Sequence, residues 1–280
     1  MNRQIIDLFI KNAIAEDLGD GDHTSLSTIP ADAQGRAQLI IKEDGVLAGV
    51  ELALAIFEAV DGSLVTEVLL NDGAQVKYGD IALTVSGKTQ SILLAERLVL
   101  NCMQRMSGIA TKTNRIVKLL EPYKAKVLDT RKTTPGLRYI EKWAVRIGGG
   151  VNHRIGLYDM ILIKDNHVDY AGGIANAIHA ANNYLQETGR KLEIEIEVRN
   201  FQELEEVLAT GQVNRIMLDN FDLDNLKEAV RRIDSRYTTE ASGGILESNI
   251  ADYAACGVDF VSMGALTHSV KSLDMSLKAY

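Results

Sequence analysis

The second half of this chain alternates short β-prone segments with helical ones, and this alternation restricts the possible folds more than any other feature. Apolar, β-branched runs occur at residues 126–128, 160–163, 192–198, 215–218, 237–241 and 260–263. From the third run onward they recur at about every 22 residues, with helical patterns between them. Such an alternation is typical of parallel strands joined by right-handed crossovers, so the fold is a doubly wound sheet or a barrel.

Polar or glycine residues end or follow each of these six runs. They are Asp129 with Arg131, Lys164 with Asp165, Glu197, Asp219 with Asn220, Ser242 with Gly243 and Gly244, and Gly264. A (β/α) barrel brings the carboxyl ends of all its strands to one face, where its active site lies. A doubly wound sheet binds ligands at one switch point and would not need all six. The pattern therefore favours a C-terminal (β/α) barrel of TIM-like type.

The first part of the chain has a different pattern. Apolar residues from Ile5 to Ile14 predict an amphipathic opening helix, and residues 36–41, 64–70 and 81–85 predict strands separated by turns. Residues 91–120 predict a long helix or helix pair linking the two halves. We expect an N-terminal α+β sandwich-like domain with the linking helix at residues 1–110 and a barrel domain at 111–280, whose last helix can return to the first domain.

The chain is acidic overall, but one segment of it is basic. The formal charge of −8 and pI near 5.2 argue against a protein that grips nucleic acid or anionic lipid. Residues 129–167, however, hold seven Lys or Arg against four acids, which gives +3 locally and −11 for the remainder. Since guanidinium groups match carboxylates and phosphates, this segment predicts a small ligand with several negative charges.

Features that would place the chain in or across a membrane are missing from the sequence. The longest nearly apolar run, residues 45–60, contains Glu51 and is shorter than a bilayer span, and the first residues lack a secretory pattern. Cys102 and Cys256 lie far apart in sequence and do not have the spacing of metal ligands, so we interpret them as reduced thiols. We therefore expect a cytoplasmic protein.

Carboxylates oppose the basic segment. Alternation puts Glu193, Glu195 and Glu197 on one side of their strand, and Asp219 ends the next one. Oxygen ligands of this kind suit Mg²⁺ held jointly with a substrate phosphate, and ion pairing with the basic segment is the alternative reading. Glycine loops at 243–244 and 264 offer unobstructed backbone N–H groups, as phosphate cradles do.

These residues occur in motifs that resemble the quinolinate phosphoribosyltransferase family. The motifs stand in the family's order: TRKTTPGLR at 130–138, GGG and NHR at 148–154, IKDNH at 163–167, EIEV at 195–198, LDN at 218–220, EASGGI at 240–245 and SMG at 262–264. The resemblance extends upstream to EDLG at 16–19, GDHT at 21–24, Glu96-Arg97 with Asn101, and SGIAT at 107–111. It covers nearly the whole chain.

The resemblance implies transfer of phosphoribosyl from 5-phosphoribosyl 1-diphosphate to quinolinate, giving nicotinate mononucleotide, diphosphate and CO₂ with Mg²⁺ as cofactor. It implies a homodimer or higher oligomer with shared sites. Its substrate-binding set comprises Arg131, His153 and Arg154 for the dicarboxylate with Arg97 from the neighbouring subunit, Lys132 and Lys164 for quinolinate or diphosphate, Glu197 and Asp219 for ribose and metal, and Ser242, Gly243, Gly244 and Gly264 for the 5-phosphate. Lys132, Lys164, Glu197 and Asp219 form the implied catalytic set.

Two alternatives stay open at this point. A related phosphoribosyltransferase could use another aromatic acid such as nicotinate, or the chain could be a paralogue associated with molybdenum transport. The alternative of a different class is a non-catalytic binding or carrier protein, because the turn at residues 71–80 resembles the hairpin of biotinyl and lipoyl carrier domains. The modifiable Lys expected at the tip of that hairpin is missing.

Overall fold

The computed structural model describes residues 3–280, which form two compact units. Among these residues, the amino-terminal unit comprises residues 3–114, Thr134–Gly149 and Ser269–Tyr280. The barrel unit comprises Arg115–Thr133 and Gly150–His268. A single boundary near residue 110 does not separate the two units, because Thr134–Gly149 and Ser269–Tyr280 belong by their contacts to the amino-terminal unit.

In the described part of the chain, the amino-terminal unit contains helices, a four-stranded antiparallel sheet and a separate two-stranded antiparallel sheet. Its helices are α1 (Arg3–Leu18), α2 (His23–Thr28), α3 (Val50–Val60), α5 (Arg138–Ile147) and most of α4 (Thr89–Leu120). Its strands are β1 (Gln34–Ile41), β2 (Gly45–Val46), β3 (Val65–Val68), β4 (Gln75–Val76), β5 (Ile81–Lys88) and β12 (Met275–Ala279). The predicted α+β composition, opening helix and long linking helix are confirmed.

The last element of the chain is a strand, so the expectation of a final helix is wrong. Strand β12 pairs antiparallel with β1, from Ala37 opposite Ala279 to Ile41 opposite Met275, in a sheet of order β12-β1-β5-β3. Met275 and Leu277 are buried, whereas Ser276 between them is partly exposed. This two-residue period is the pattern of a strand with one buried face.

The SGIAT motif secures the backbone of the amino-terminal unit. The Ser107 hydroxyl accepts a hydrogen bond from the Ala48 N–H at 2.8 Å and donates one to the Ala48 carbonyl at 3.1 Å. Thr111 Oγ1 accepts from the Val46 N–H at 2.8 Å. At Gly108, a Cβ atom would overlap the Lys271 carbonyl oxygen. These residues of the motif therefore have a structural role.

The carrier-like turn also has a structural role. Asp72 Oδ1 accepts a hydrogen bond from the Val50 N–H at 2.9 Å, at the start of α3. The first turn of a helix has N–H groups without helical partners, which a carboxylate satisfies. The turn thus caps a helix within its own unit.

Six parallel strands with intervening helices make up the barrel unit among the described residues. The strands are β6 (Lys126–Leu128), β7 (Ile161–Ile163), β8 (Ile194–Val198), β9 (Arg215–Asp219), β10 (Thr238–Ser242) and β11 (Phe260–Ser262). The helices are α6 (Asp165–Ala171), α7 (Ile174–Thr188), α8 (Phe201–Thr210), α9 (Leu223–Ile233), α10 (Ile250–Ala255) and α11 (Ala265–His268). Across residues 3–280, no helix is long and apolar enough to cross a membrane.

Strand order confirms the barrel-like prediction over the doubly wound one. The strands follow the order β7-β8-β9-β10-β11-β6, so β11, the last strand of this unit in sequence, pairs with β6, its first. Pairing of first with last is how a sheet closes on itself, whereas a doubly wound sheet reverses its order at a switch point. Leu128, the last residue of β6, also forms an isolated parallel bridge with Val151.

Alternation along the strands directs one set of polar side chains into the barrel. On β8, Ile194, Ile196 and Val198 share one face, and Glu195 and Glu197 share the other, with all five residues buried. Glu193 lies before the strand and is exposed. Glu195 and Glu197 therefore share one side of the strand as expected, whereas Glu193 lies outside it.

Candidate active site

A cavity of about 630 Å³ lies at the carboxyl ends of the barrel strands. Every one of the six strands, or the loop that follows it, contributes to its lining. The lining includes Thr130, Arg131, Lys132, His153, Arg154, Lys164, Asp165, Glu197, Asp219, Asn220, Glu240, Ser242, Gly243, Gly244, Ser262, Gly264 and His268. This is the position at which barrel enzymes bind their substrates.

The cavity collects every residue of the implied substrate-binding set except one. The exception is Arg97, which is exposed on α4 in the amino-terminal unit. Sequence patterns did not single out Thr130, Glu240, Ser262 or His268 as site residues. For Glu240 a signal was present, because it lies two residues before Ser242 and therefore shares its side of β10.

The turn after β6 presents Arg131 and Lys132 on a fixed backbone. The Lys132 N–H donates to Thr130 Oγ1 at 3.0 Å, and the Lys132 carbonyl accepts from Thr267 Oγ1 at 2.8 Å. Thr267 is completely buried. Both charged side chains are exposed, so the fixed turn offers them to a ligand in the cavity.

The loop carrying His153 and Arg154 is attached to the end of β6. Buried Asp129 accepts hydrogen bonds from the His153 N–H at 2.9 Å and from the Asn152 side-chain amide. Arg154 is buried too, and its Nη1 donates to the Met160 carbonyl at 3.2 Å. The loop is thus held on two sides.

The electrostatics at this end of the cavity favour an anion. Burial lowers the pKa of Arg154, and the neighbouring Arg131 guanidinium lowers it further. Two guanidinium groups that repel each other are stabilised by a ligand that brings negative charge between them. A bidentate carboxylate matches the geometry of each guanidinium.

Lys164 enters the cavity from the start of α6. Its N–H donates to His167 Nδ1 at 3.0 Å, which fixes the main chain where β7 passes into the helix. The IKDNH motif therefore encodes a strand end, a cationic side chain and the group that holds its backbone.

Glu197 and Asp219 supply carboxylate oxygens on the adjacent strands β8 and β9. Burial raises the pKa of Glu197, the Asp219 carboxylate raises it further, and Lys164 opposes the shift. The mutual repulsion of two carboxylates is relieved by a cation between them. Oxygen donors of this kind fit Mg²⁺, which prefers one or two carboxylates plus substrate phosphate oxygens.

The loop after β10 is a glycine turn with its backbone exposed to the cavity. Gly243 and Gly244 have φ of +94° and +61°, and Asn220, also left-handed at +57°, donates its N–H to the Ser242 carbonyl at 2.8 Å. Gly264 lies where a Cβ atom would approach Lys132 Cδ at 3.1 Å. Unobstructed N–H groups in such turns can cradle a phosphate.

A buried ionic cluster lies on the inner faces of β8, β9 and β10. Glu195 and Glu240 are fully buried, and His153 Nε2 lies 2.9 Å from Glu195 and 3.5 Å from Glu240. Arg215 Nε lies 3.9 Å from Glu195, and its Nη1 lies 3.5 Å from Glu240. Burial raises the pKa of both carboxyl groups. The sequence predicted Glu195 on this face but gave no indication that Arg215 would be a partner.

The chain matches two family models that together cover nearly all of it. Residues 109–278 match the quinolinate phosphoribosyl transferase C-terminal domain, and residues 22–107 match the N-terminal domain. It is 49% identical over 284 residues to the Arabidopsis thaliana protein named nicotinate-nucleotide pyrophosphorylase [carboxylating], chloroplastic, covering 96% of this chain and 81% of that protein.

Bacterial relatives match along almost their full length. A Bacillus subtilis protein named probable nicotinate-nucleotide pyrophosphorylase [carboxylating] is 39% identical, covering 99% of this chain and 94% of its own. The crystal structure of NadC from Streptococcus pyogenes is 38% identical with a TM-score of 0.93, covering 99% of this chain and 97% of that one. The agreement in both units of the fold and throughout the sequence shows that this chain belongs to the quinolinate phosphoribosyltransferase family.

Proposed function

We propose that this chain transfers the phosphoribosyl group of 5-phosphoribosyl 1-diphosphate to quinolinate and releases CO₂. The products are nicotinate mononucleotide and diphosphate, and the reaction is a step of de novo NAD biosynthesis. The observation that carries the proposal is one cavity holding a guanidinium pair, a carboxylate pair and a glycine cradle. These three groups match the dicarboxylate, the ribose diphosphate and the 5-phosphate of the two substrates.

Quinolinate binds at the basic end of the cavity. Arg131 and Arg154 neutralise its two carboxylates, with His153 beside them and Lys132 on the adjoining turn. A planar pyridine held by two guanidinium groups has few orientations, so its ring nitrogen is directed toward the ribose. Orientation of this kind converts an encounter of two substrates into an effectively unimolecular step.

Ribose and diphosphate bind between the acidic pair and Lys164. Glu197 and Asp219 bind the ribose hydroxyls and would hold Mg²⁺ when it is present. The metal, when bound, neutralises charge on the departing diphosphate. Ser242, Gly243, Gly244 and Gly264 bind the 5-phosphate through backbone N–H groups and one hydroxyl.

The chemistry requires charge stabilisation and no covalent nucleophile. As the bond from C1 of the ribose to diphosphate breaks, positive charge develops on the sugar, where Glu197 and Asp219 stabilise it, and Lys164 stabilises the leaving diphosphate. The quinolinate nitrogen then donates its electron pair to C1. The ring becomes cationic, so the bond to the adjacent carboxyl can break with its electron pair left on the ring carbon, and a proton from solvent completes nicotinate mononucleotide.

An activity measurement tests the proposal directly. Purified protein is supplied with 5-phosphoribosyl 1-diphosphate, Mg²⁺ and either quinolinate or nicotinate, and CO₂ and mononucleotide are followed. We expect mononucleotide and CO₂ in equal amounts from quinolinate, none from nicotinate, and loss of turnover on chelation of the metal. Turnover of nicotinate alone would contradict the proposal and favour the related phosphoribosyltransferase reaction.

Sharing of sites between subunits is a further part of the proposal. Arg97 is an exposed cation outside the cavity lining of its own chain, as expected of a residue that enters the site of a neighbouring subunit in a homodimer or higher oligomer. A cytoplasmic location also belongs to the proposal, supported by two cysteines that form no disulfide in the described structure. Plant relatives include proteins named chloroplastic and mitochondrial.

Subunit mixing tests the role of Arg97. Arg97→Ala and Lys164→Ala should each be inactive, whereas the mixture should recover about a quarter of the wild-type activity per subunit, because half the dimers are hybrids with one intact site each. The measurement is activity after refolding or co-expression, with hybrids quantified by native mass spectrometry. Hybrids present without recovered activity would contradict sharing.

A further inference from the structure

The ionic cluster formed by Glu195, Arg215 and Glu240 is not used by any step of the reaction above. Its acids are fully buried, so their retention inside the barrel is costly unless they are paired. Arg215 lies within 3.9 Å of Glu195 and 3.5 Å of Glu240. The cluster therefore has a positive partner of its own on the strand between the two acids.

His153 connects this cluster to the cavity. Its Nδ1 lies 2.7 Å from the Arg154 backbone nitrogen, whose N–H can only donate, so Nδ1 is the acceptor. The ring proton consequently resides on Nε2, which faces Glu195 Oε2 at 2.9 Å. The two ring nitrogens are thus directed to a carboxylate on one side and to the Arg154 main chain on the other.

A metal ion is the alternative occupant of this cluster. Ligand atoms of His153, Glu195 and Glu240 lie within 4.8 Å of one another, which is compatible with a cation. The Arg215 guanidinium, however, already supplies positive charge to both acids and would repel a metal ion. An imidazole whose proton resides on Nε2 also has no electron pair on that nitrogen for a metal.

We propose that Glu195 and Glu240, held by Arg215, are positioning residues that fix the His153 ring and through it the Arg154 main chain at the dicarboxylate end of the cavity. The proposal rests on the function proposed above and identifies what sets its affinity for quinolinate. The His153 ring acts as a spacer between a rigid base in the barrel and the loop that carries a substrate-binding guanidinium. The glycine cradle for the other substrate has separate supports, through Asn220 and Ser242.

Isosteric variants separate positioning from folding. Glu195→Gln and Glu240→Gln keep the side-chain volume but replace one carboxyl oxygen of the cluster with an amide NH₂ group. We expect each to raise KM for quinolinate by at least about tenfold and to change KM for 5-phosphoribosyl 1-diphosphate less than twofold, the size of effect associated with a hydrogen bond to a charged group. The matched control is Glu193→Gln, an exposed position just before the same strand, which should keep wild-type constants.

The assay distinguishes failure of the proposed function from failure of the positioning role. If wild-type protein and Glu193→Gln do not turn over quinolinate, the proposed function is wrong. If both are active and the two cluster variants match them, or raise both KM values equally, the positioning role is wrong.

Nuclear magnetic resonance of the histidine ring nitrogens gives a readout that does not depend on enzyme activity. In wild-type protein, the His153 signals, assigned by their loss in His153→Gln, should show a neutral ring protonated at Nε2. In Glu195→Gln, the Nε2 proton signal should shift while the other histidines keep their positions. A ring protonated at Nδ1 or at both nitrogens in wild-type protein would overturn the proposal.

Discussion

Replacing Arg154 with Ala should lower kcat/KM for quinolinate by at least about 100-fold, because the proposed binding mode pairs this buried guanidinium with a carboxylate of the substrate. Truncating one partner of a buried charge pair costs about 2–5 kcal/mol, and each 1.4 kcal/mol is tenfold. Most of the loss should fall on quinolinate, since the phosphate cradle lies on other strands. Steady-state kinetics with each substrate varied in turn measure the effect.

Two companion variants make this result interpretable. Arg154→Lys keeps the charge but loses the planar fork, so it should recover only part of the activity. Arg190→Ala removes an exposed arginine outside the cavity and should leave kcat/KM unchanged. If Arg154→Ala stayed within threefold of wild type, Arg154 would not be a primary ligand of quinolinate.

Replacing Gly243 with Ala should impair both folding and phosphoribosyl binding. A Cβ atom there would overlap the Asn220 side-chain oxygen and lie 2.9 Å from the Asn220 backbone nitrogen, at a φ of +94° that L-residues rarely adopt. Asn220 is itself left-handed and has little freedom to move away. We expect about 2–4 kcal/mol of lost stability, combining backbone strain with overlap, and at least about a 100-fold lower kcat/KM for 5-phosphoribosyl 1-diphosphate.

Gly244→Ala is the matched comparison. Its φ is also positive, at +61°, but a Cβ atom would meet nothing within 4 Å. It should therefore show the backbone cost alone, about 1 kcal/mol, with a smaller kinetic effect. Urea unfolding and substrate-saturation curves measure the two quantities. Equal losses in the two variants would mean that close approach to Asn220 is not what requires glycine at 243.

Local sequence patterns predicted most elements of the fold. The strands of the barrel unit and the long helix α4 are marked by contiguous runs with a clear period, and they lie within a few residues of the predicted positions. The terminal strand β12 was missed because it has only five residues, and what makes it a strand is pairing with β1, more than 230 residues earlier in sequence. Residues 134–149 belong to the amino-terminal unit although residues of the barrel unit flank them in sequence, and this assignment likewise depends on contacts between distant residues.

The sequence by itself determined the ligand chemistry of the site. Lys164, Glu197 and Asp219 each lie at the carboxyl end of an apolar run, and parallel strands bring such positions to one face. Charge identity is carried by the residues themselves, so the basic and acidic groups of the cavity were visible without coordinates.

Only the tertiary structure decided which groups interact within the barrel. Glu195, Arg215 and Glu240 lie on three different strands, and neither their charge nor their period shows that they meet around His153. The register between strands sets these distances, and register depends on the packing of the whole sheet. The buried cluster of Glu195, Arg215 and Glu240 therefore exists only in the folded barrel. The charged residues that we propose bind a polyanionic substrate, in contrast, can be identified from the sequence alone.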